Sequence, residues 1–177
     1  MLVLGIDDAG RGPVIGPMFL AGVLISDKDE KFLKQEGVAD SKTLLHPVRV
    51  KLAGLIMDTA LNAHVVETSP EQIDHAVQSG LNLNTLEAIK AAEIINILNT
   101  KKEQIRVIID CPSENIRAWR ATLMGYIKKP DNLEVICEHK ADVNYPSVSA
   151  ASILAKVARE EAVARIKEQY GDTGSGY

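Results

Sequence analysis

The sequence predicts an α/β fold in a single domain over residues 1–177, a mixed β-sheet flanked by helices. Three observations predict it. Short apolar runs of strand length are interleaved with longer segments of helical character, the pattern that builds layered α/β domains. Glycine and proline mark the joints between them. A chain of 177 residues also buries about 70% of its unfolded surface, so its core needs no disulfide or metal staple.

Taken in order, residues 2–6 (LVLGI) and 18–25 (MFLAGVLI) read as strands. Gly10, Gly12, Pro13, Gly16 and Pro17 prevent a helix between them, so a rigid loop joins the two. Residues 63–67 (AHVVE) form a weaker third strand. Ser69-Pro70-Glu71-Gln72 then supplies an N-cap, a proline at the first helical position and a glutamine three residues on. Asn84 with Glu87 opens a helix to about Leu98 that is apolar round most of its circumference and therefore buried. Residues 105–109 (IRVII) are a buried-type strand ending at Asp110, and Pro112 starts a helix to about Tyr126. The last strand, 133–137 (LEVIC), leads through a polar segment with Asp142 into a long helix from Ser147 to about Gln169. That helix carries Ala151, Ala155, Ala158, Ala162 and Ile166 on one face. The order is β-β-β-α-α-β-α-β-α, with nothing assigned between residues 26 and 62. No repeat or interdomain linker interrupts it.

Apolar content of 46% with 25% charged residues excludes a disordered chain. The formal charge of -4 counts against a generally basic nucleic-acid binder. Only seven aromatics also disfavour a stacking platform for single strands. Cys111 and Cys137 end apolar runs and form neither a disulfide framework nor a metal pair; both are expected to be reduced and buried. No run approaches a membrane span, and the start MLVLGIDD lacks a signal peptide's basic region and cleavage site. A cytoplasmic, monomeric protein is the expectation.

Four aspartates stand out by position. Asp7 and Asp8 close the first strand, Asp110 closes a central one, and Asp142 lies between the last strand and the long helix. Ligand sites of α/β sheets gather at the carboxyl ends of strands, so these groups can converge. Clustered carboxylates repel one another unless a cation sits among them. Oxygen-only donors select hard ions such as Mg²⁺ or Mn²⁺, and two such ions can hydrolyse a phosphodiester. An aspartate after a strand is also a common turn former or helix cap, and placement alone leaves the two readings evenly matched.

The adjacent Gly10-Arg11-Gly12-Pro13 does not open a helix, so it is not a dinucleotide fingerprint, and no Walker A pattern exists. Its glycines permit close backbone approach to a sugar-phosphate, and Arg11 could pair with a phosphate; a tight hairpin with a solvated arginine is the plainer reading. On the long helix Ser149, Ser152, Lys156 and Arg159 form a polar stripe, either bordering nucleic acid or simply solvated. His139 is read as a proton carrier near the site or as a structural residue, and Trp119 as core packing.

GIDDAGRGPVIGPM, VADSKTL, VIIDCP, HKADVNYPSVSAASILAKVARE and GSGY, in this order, resemble type 2 ribonuclease H, closest to its archaeal branch. The resemblance covers essentially the whole chain. It implies an RNase H-like fold and hydrolysis of the RNA strand of RNA/DNA hybrids with Mg²⁺ or Mn²⁺. It further implies incision on the 5′ side of single ribonucleotides in duplex DNA, leaving 5′-phosphate and 3′-hydroxyl ends. Of the family's Asp-Glu-Asp-Asp set, Asp7 matches the first member, Asp110 the third and Asp142 the fourth. By the same resemblance the backbone of Gly10, Arg11 and Gly12, together with Tyr177, reads the ribonucleotide's 2′-hydroxyl, and Lys42 contacts a substrate phosphate.

Two features depart from the family pattern. Asp8 stands where the family has Glu, one methylene shorter, and the C-terminal extension usual in relatives is absent after Tyr177. They define an alternative, a hybrid-binding variant with impaired catalysis. Another metal nuclease of the same fold, such as a resolvase, fits the Gly-Arg-Gly and Gly-Tyr motifs less well. Setting the four aspartates aside leaves 20 acidic against 20 basic residues, a neutral scaffold, so the net charge can belong to a metal site.

Overall fold

A computed structural model describes every residue except 14, 39, 40, 100, 101 and 175–177. Five strands form one mixed sheet: β1 (Leu2–Ala9), β2 (Met18–Ser26), β3 (Asn62–Thr68), β4 (Ile105–Asp110) and β5 (Leu133–Glu138), in the spatial order β3-β2-β1-β4-β5. The β1–β2–β3 meander is antiparallel, and β1, β4 and β5 run parallel to one another. Seven α-helices complete the described chain: α1 (Asp27–Gln35), α2 (His46–Thr59), α3 (Pro70–Gln78), α4 (Leu83–Leu98), α5 (Ile116–Tyr126), α6 (Ala141–Asn144) and α7 (Pro146–Tyr170).

The mixed sheet with helices on both faces is the architecture the sequence predicts. Helices α1 and α2, which fill the unassigned stretch, were not foreseen. Helix α1 is almost entirely polar apart from Phe32 and the buried Leu33, so its apolar stripe is too narrow to read. Helix α2 spreads its apolar residues round the axis and buries only Leu52 and Ile56. The α4 helix is capped two residues earlier than expected, by Asn82, whose side chain accepts from the Thr85 amide at 2.9 Å. Helix α5 begins at Ile116 behind the Asn115 cap rather than at Pro112. Asp142, expected in a polar segment between the last strand and the long helix, lies on the short helix α6, which was not foreseen either.

Side chains alternate across a strand, and this alternation divides the molecule in two. Leu4 and Ile6 of β1 pack with Val107 and Ile109 of β4 against Ala88, Ala91, Ile94 and Ile95 of α4 and Trp119 and Leu123 of α5. On the other face Ala21, Val23 and Ile25 of β2 meet Leu52 and Ile56 of α2 and Ala151, Leu154 and Ala155 of α7. Two glycines permit close approaches. A Cβ on Gly5 would lie 2.2 Å from the Ser147 backbone of α7, and one on Gly22 would lie 2.3 Å from Ile94 Cγ2 of α4. Cys111 and Cys137 are free and buried, and Trp119 is a core residue whose indole N–H donates to the Asn84 carbonyl. No helix is long and apolar enough to cross a membrane among the described residues.

Candidate active site

The ends of β1 and β4 meet at the centre of the sheet, where Ile6 is paired with Ile109, so the next residues on each strand, Asp7 and Asp110, lie side by side. Strand parity sends both of them to the α7 face. Helix α6 brings Asp142 over the same spot, and one carboxylate oxygen from each of Asp7, Asp110 and Asp142 lies within 4.8 Å of the others. The turn that delivers Asp142 is held in two ways. Lys140 adopts a left-handed conformation at φ 58°, uncommon for a residue with a side chain. The Ala141 amide after it donates to Asp110 Oδ1 at 3.2 Å.

The electrostatics of the group favour a cation. Burial raises the Asp7 carboxyl well above its usual value, the neighbouring Asp8 and Asp110 charges raise it further, and a hydrogen bond from Ser152 opposes them. Burial also raises Asp110 despite the Ala141 amide. Asp142 is 1% exposed, and its Oδ1 accepts no hydrogen bond. Three carboxylates, two buried and one half-buried, with an orphaned oxygen and no nitrogen or sulfur donor fit a hard divalent cation. Two lysines border the group. Lys42 Nζ lies 3.1 Å from Asp142 Oδ2; desolvation works against its charge, yet this pairing raises it overall. Burial lowers Lys156, against the pull of Asp7.

Asp8 points the other way. Strand parity turns it toward α4, and it does not join the three-carboxylate group. Burial pushes its carboxyl up to about 6, with Arg11 the strongest opposing charge. The Arg11 side chain is half-buried and tied to its neighbours. Its Nε donates to Glu87 Oε2 at 2.9 Å, one terminal nitrogen to the Pro112 carbonyl at 3.3 Å and the other to Asn84. On the opposite side of the loop, buried Arg159 donates to the carbonyls of Pro17 and Ile15 at 3.3 and 3.2 Å. Gly10, at φ +91°, has no room for a Cβ, which would meet the Pro17 carbonyl at 2.7 Å and Arg159 Cδ at 2.8 Å. The loop between β1 and β2 is thus held by Arg11 on one face of the sheet and by Arg159 on the other.

The stripe on α7 is not a solvated face. Ser149, Ser152 and Arg159 are buried, and Lys156 is half-buried beside the acids. Next to them opens a groove of about 620 Å³ whose walls include Lys42, Arg49, Lys156, Arg159 and Lys167, together with Glu160, which pairs with Arg49. His139 is tied to the Ser113 carbonyl at 2.8 Å, a structural contact. Tyr177 lies outside the described residues.

A family model described as "Ribonuclease HII" matches residues 4–177. The chain belongs to the ribonuclease HII family. Ribonuclease HII of Pyrococcus furiosus is 42% identical over 177 residues, covering all of this chain and 76% of that protein. The crystal structure of the Pyrococcus horikoshii ribonuclease H2 superposes with a TM-score of 0.89 at 37% identity, over 100% of this chain and 81% of that one. The Archaeoglobus fulgidus ribonuclease HII, solved in complex with PCNA, gives 0.87 at 40% identity, over 99% and 80%. Members of the family are metal-dependent endoribonucleases that act on RNA/DNA hybrids, and this chain is an enzyme of that class with an RNase H-like fold.

Of the sequence-predicted acids, three are brought together and Asp8 is set apart. Glu87 was missed as a site residue. It is 1% exposed, buried behind Arg11, and one of its oxygens, Oε1, has no hydrogen-bond partner. The signal was present in the sequence: a carboxylate on a helix apolar all round must be buried, and a buried acid needs a partner.

Proposed function

We propose that this chain hydrolyses the RNA strand of RNA/DNA hybrids, and incises 5′ of single ribonucleotides embedded in duplex DNA, with two Mg²⁺ or Mn²⁺ ions. The observation that carries the reading is the meeting of Asp7, Asp110 and Asp142 oxygens within 4.8 Å. Asp7, Asp110 and Asp142 would hold the divalent ions, which when bound would supply an activated water for attack on phosphorus and charge stabilisation for the departing 3′-oxygen. The acids supply the negative charge that retains the ions, and the hydrogen bonds from Ser152 to Asp7 and from the Ala141 amide to Asp110 fix two of the carboxylates in place. Asp8 adds its charge at the rim.

The chain's cations do the rest. Lys42 and Lys156, beside the acids, stand where a phosphate would approach, and the groove beyond them offers positive charge for the neighbouring backbone phosphates. A net negative protein can therefore bind nucleic acid through one local surface. The clamped Gly10–Gly12 backbone is positioned to meet the 2′-hydroxyl, the group that separates RNA from DNA, with Tyr177 as its partner in that recognition. Arg11 serves the loop's position rather than a phosphate contact.

The test is cleavage of a DNA duplex carrying one ribonucleotide. Incision on its 5′ side, dependent on Mg²⁺ or Mn²⁺, is expected; equal cutting of an all-DNA duplex would overturn the reading. A second reading, a hybrid-binding variant with impaired catalysis, is favoured by the position of Asp8 outside the three-carboxylate group. Single-turnover rates of this chain and its Asp8→Glu form decide between them. Rates within a few-fold of each other support an intact site, and a rise of orders of magnitude in the Glu form supports the impaired one.

A further inference from the structure

On the α4 face of the sheet, two acids compete for one guanidinium. Arg11 is the positive charge that acts most strongly on both Asp8 and Glu87. Its described hydrogen bonds all go elsewhere than Asp8: to Glu87, to Asn84 and to the Pro112 carbonyl. Glu87 and Asn84 both sit on the first turns of α4, so one rigid helix holds the arginine from two points. Burying a carboxylate in an apolar helix face is costly unless the placement is needed, and Glu87 is sunk among Ile6, Leu20, Ala91 and Ile109 round a cavity of only about 10 Å³. Asp8 lines the same cavity, and so do Asp7 and Asp110. A guanidinium released from Glu87 would find Asp8 as its next partner, and a directly paired carboxylate is a poor contributor to a cation site.

We propose that Glu87 is a positioning residue of the metal centre: by holding Arg11 on α4 it keeps the guanidinium off Asp8 and leaves that carboxylate's negative charge unpaired at the rim of the cation site. The working set then contains five acids: three around the cation, Asp8 adding its charge at the rim, and Glu87 restraining the arginine. The inference rests on the reading of Asp8 as a contributor to the cation site. It also assigns the cost of the shorter side chain at position 8 a second consequence, because a recessed carboxylate lies closer to Arg11 than one extended past it.

Calorimetric titration of Mn²⁺ into the whole chain, without nucleic acid, tests this apart from turnover. Glu87→Ala is expected to weaken Mn²⁺ binding about tenfold, the equivalent of one ion pair redirected onto Asp8. Removing the guanidinium as well, in the Glu87→Ala/Arg11→Ala double variant, is expected to restore binding to about the wild-type value, an outcome that a structural role alone does not produce. Glu87→Gln keeps an acceptor for Arg11 and should bind close to wild type. Wild-type binding by Glu87→Ala, or a double variant no better than the single one, would overturn the proposal. Should Glu87→Ala fail to fold by circular dichroism, Arg11→Ala alone decides: Mn²⁺ binding as tight as wild type or tighter supports it, and clear weakening rejects it. A wild-type chain that binds Mn²⁺ but does not cut a ribonucleotide-containing duplex defeats the functional reading and leaves this inference standing; one that binds no Mn²⁺ defeats both.

Discussion

Asp7 and Asp8 are neighbours in the chain and belong to different halves of the molecule. On the α7 face Asp7 joins Asp110 and Asp142 in a group of carboxylates with no guanidinium among them and one orphaned oxygen. On the α4 face Asp8 shares with Glu87 an arginine already fastened to helix α4. The difference comes from the two-residue period of a strand, which puts consecutive side chains on opposite sides. Two acids that look equivalent as a doublet therefore do different work. The first belongs to the cation, and the second sets the field around it.

Substitutions on the two faces should separate these roles. Asp110→Asn removes a member of the three-carboxylate group and is expected to lower single-turnover cleavage on the order of 1,000-fold. Asp8→Asn removes charge without breaking that group, and a loss on the order of 10- to 100-fold is expected in the same assay. Equal losses would erase the distinction between the faces.

The scaffold carries the same contrast. Gly5 is backed by the α7 main chain, which cannot yield, so Gly5→Ala should destabilise the fold by about 3 kcal/mol or more in urea unfolding. Gly22 is backed by the end of the Ile94 side chain, which can turn aside. Gly22→Ala should cost less, about 1–2 kcal/mol. A reversed order would mean that the helix contacts on the two faces are not as different as their atoms indicate.

The smallest expected effect is on pH dependence. Asp7, Asp8 and Asp110 are raised, Asp8 to about 6, and Glu87 is raised to about 8. The folded metal-free chain holds these protons after the unfolded chain, with carboxyls near about 4, has released them. Stability is therefore greatest below the unfolded values and falls as pH rises, through about 6 for Asp8 and about 8 for Glu87. A cation removes the part of that loss that comes from the acids it neutralises. Thermal unfolding should show Mn²⁺ raising the midpoint more at pH 8 than at pH 5; an equal rise at both would contradict the assignment.

Much of this was legible in the sequence. The strands, the long C-terminal helix and the placement of Asp7, Asp110 and Asp142 follow from apolar runs, caps and strand ends, which are local signals. Helix α1 was hidden by its polarity, although Ser26, which accepts from the Asp29 amide at 3.2 Å, is a readable cap. Helix α2 was hidden by apolar residues spread round its axis. The stripe of Ser149, Ser152 and Arg159 looked ready for solvent because composition cannot tell a polar face turned to water from one turned to a buried site. Glu87 looked like a helix opener. Its importance lies in Arg11, 76 residues away in sequence, and no local pattern carries a contact of that range.

The central claim is that the α7 face, not the α4 face, holds the catalytic cation. Anomalous diffraction from crystals soaked in Mn²⁺ tests it most directly. The account predicts a peak at coordination distance from oxygens of Asp7, Asp110 and Asp142, with Arg11 still bound to Glu87. A peak between Asp8 and Glu87, or none among the three aspartates, would contradict it.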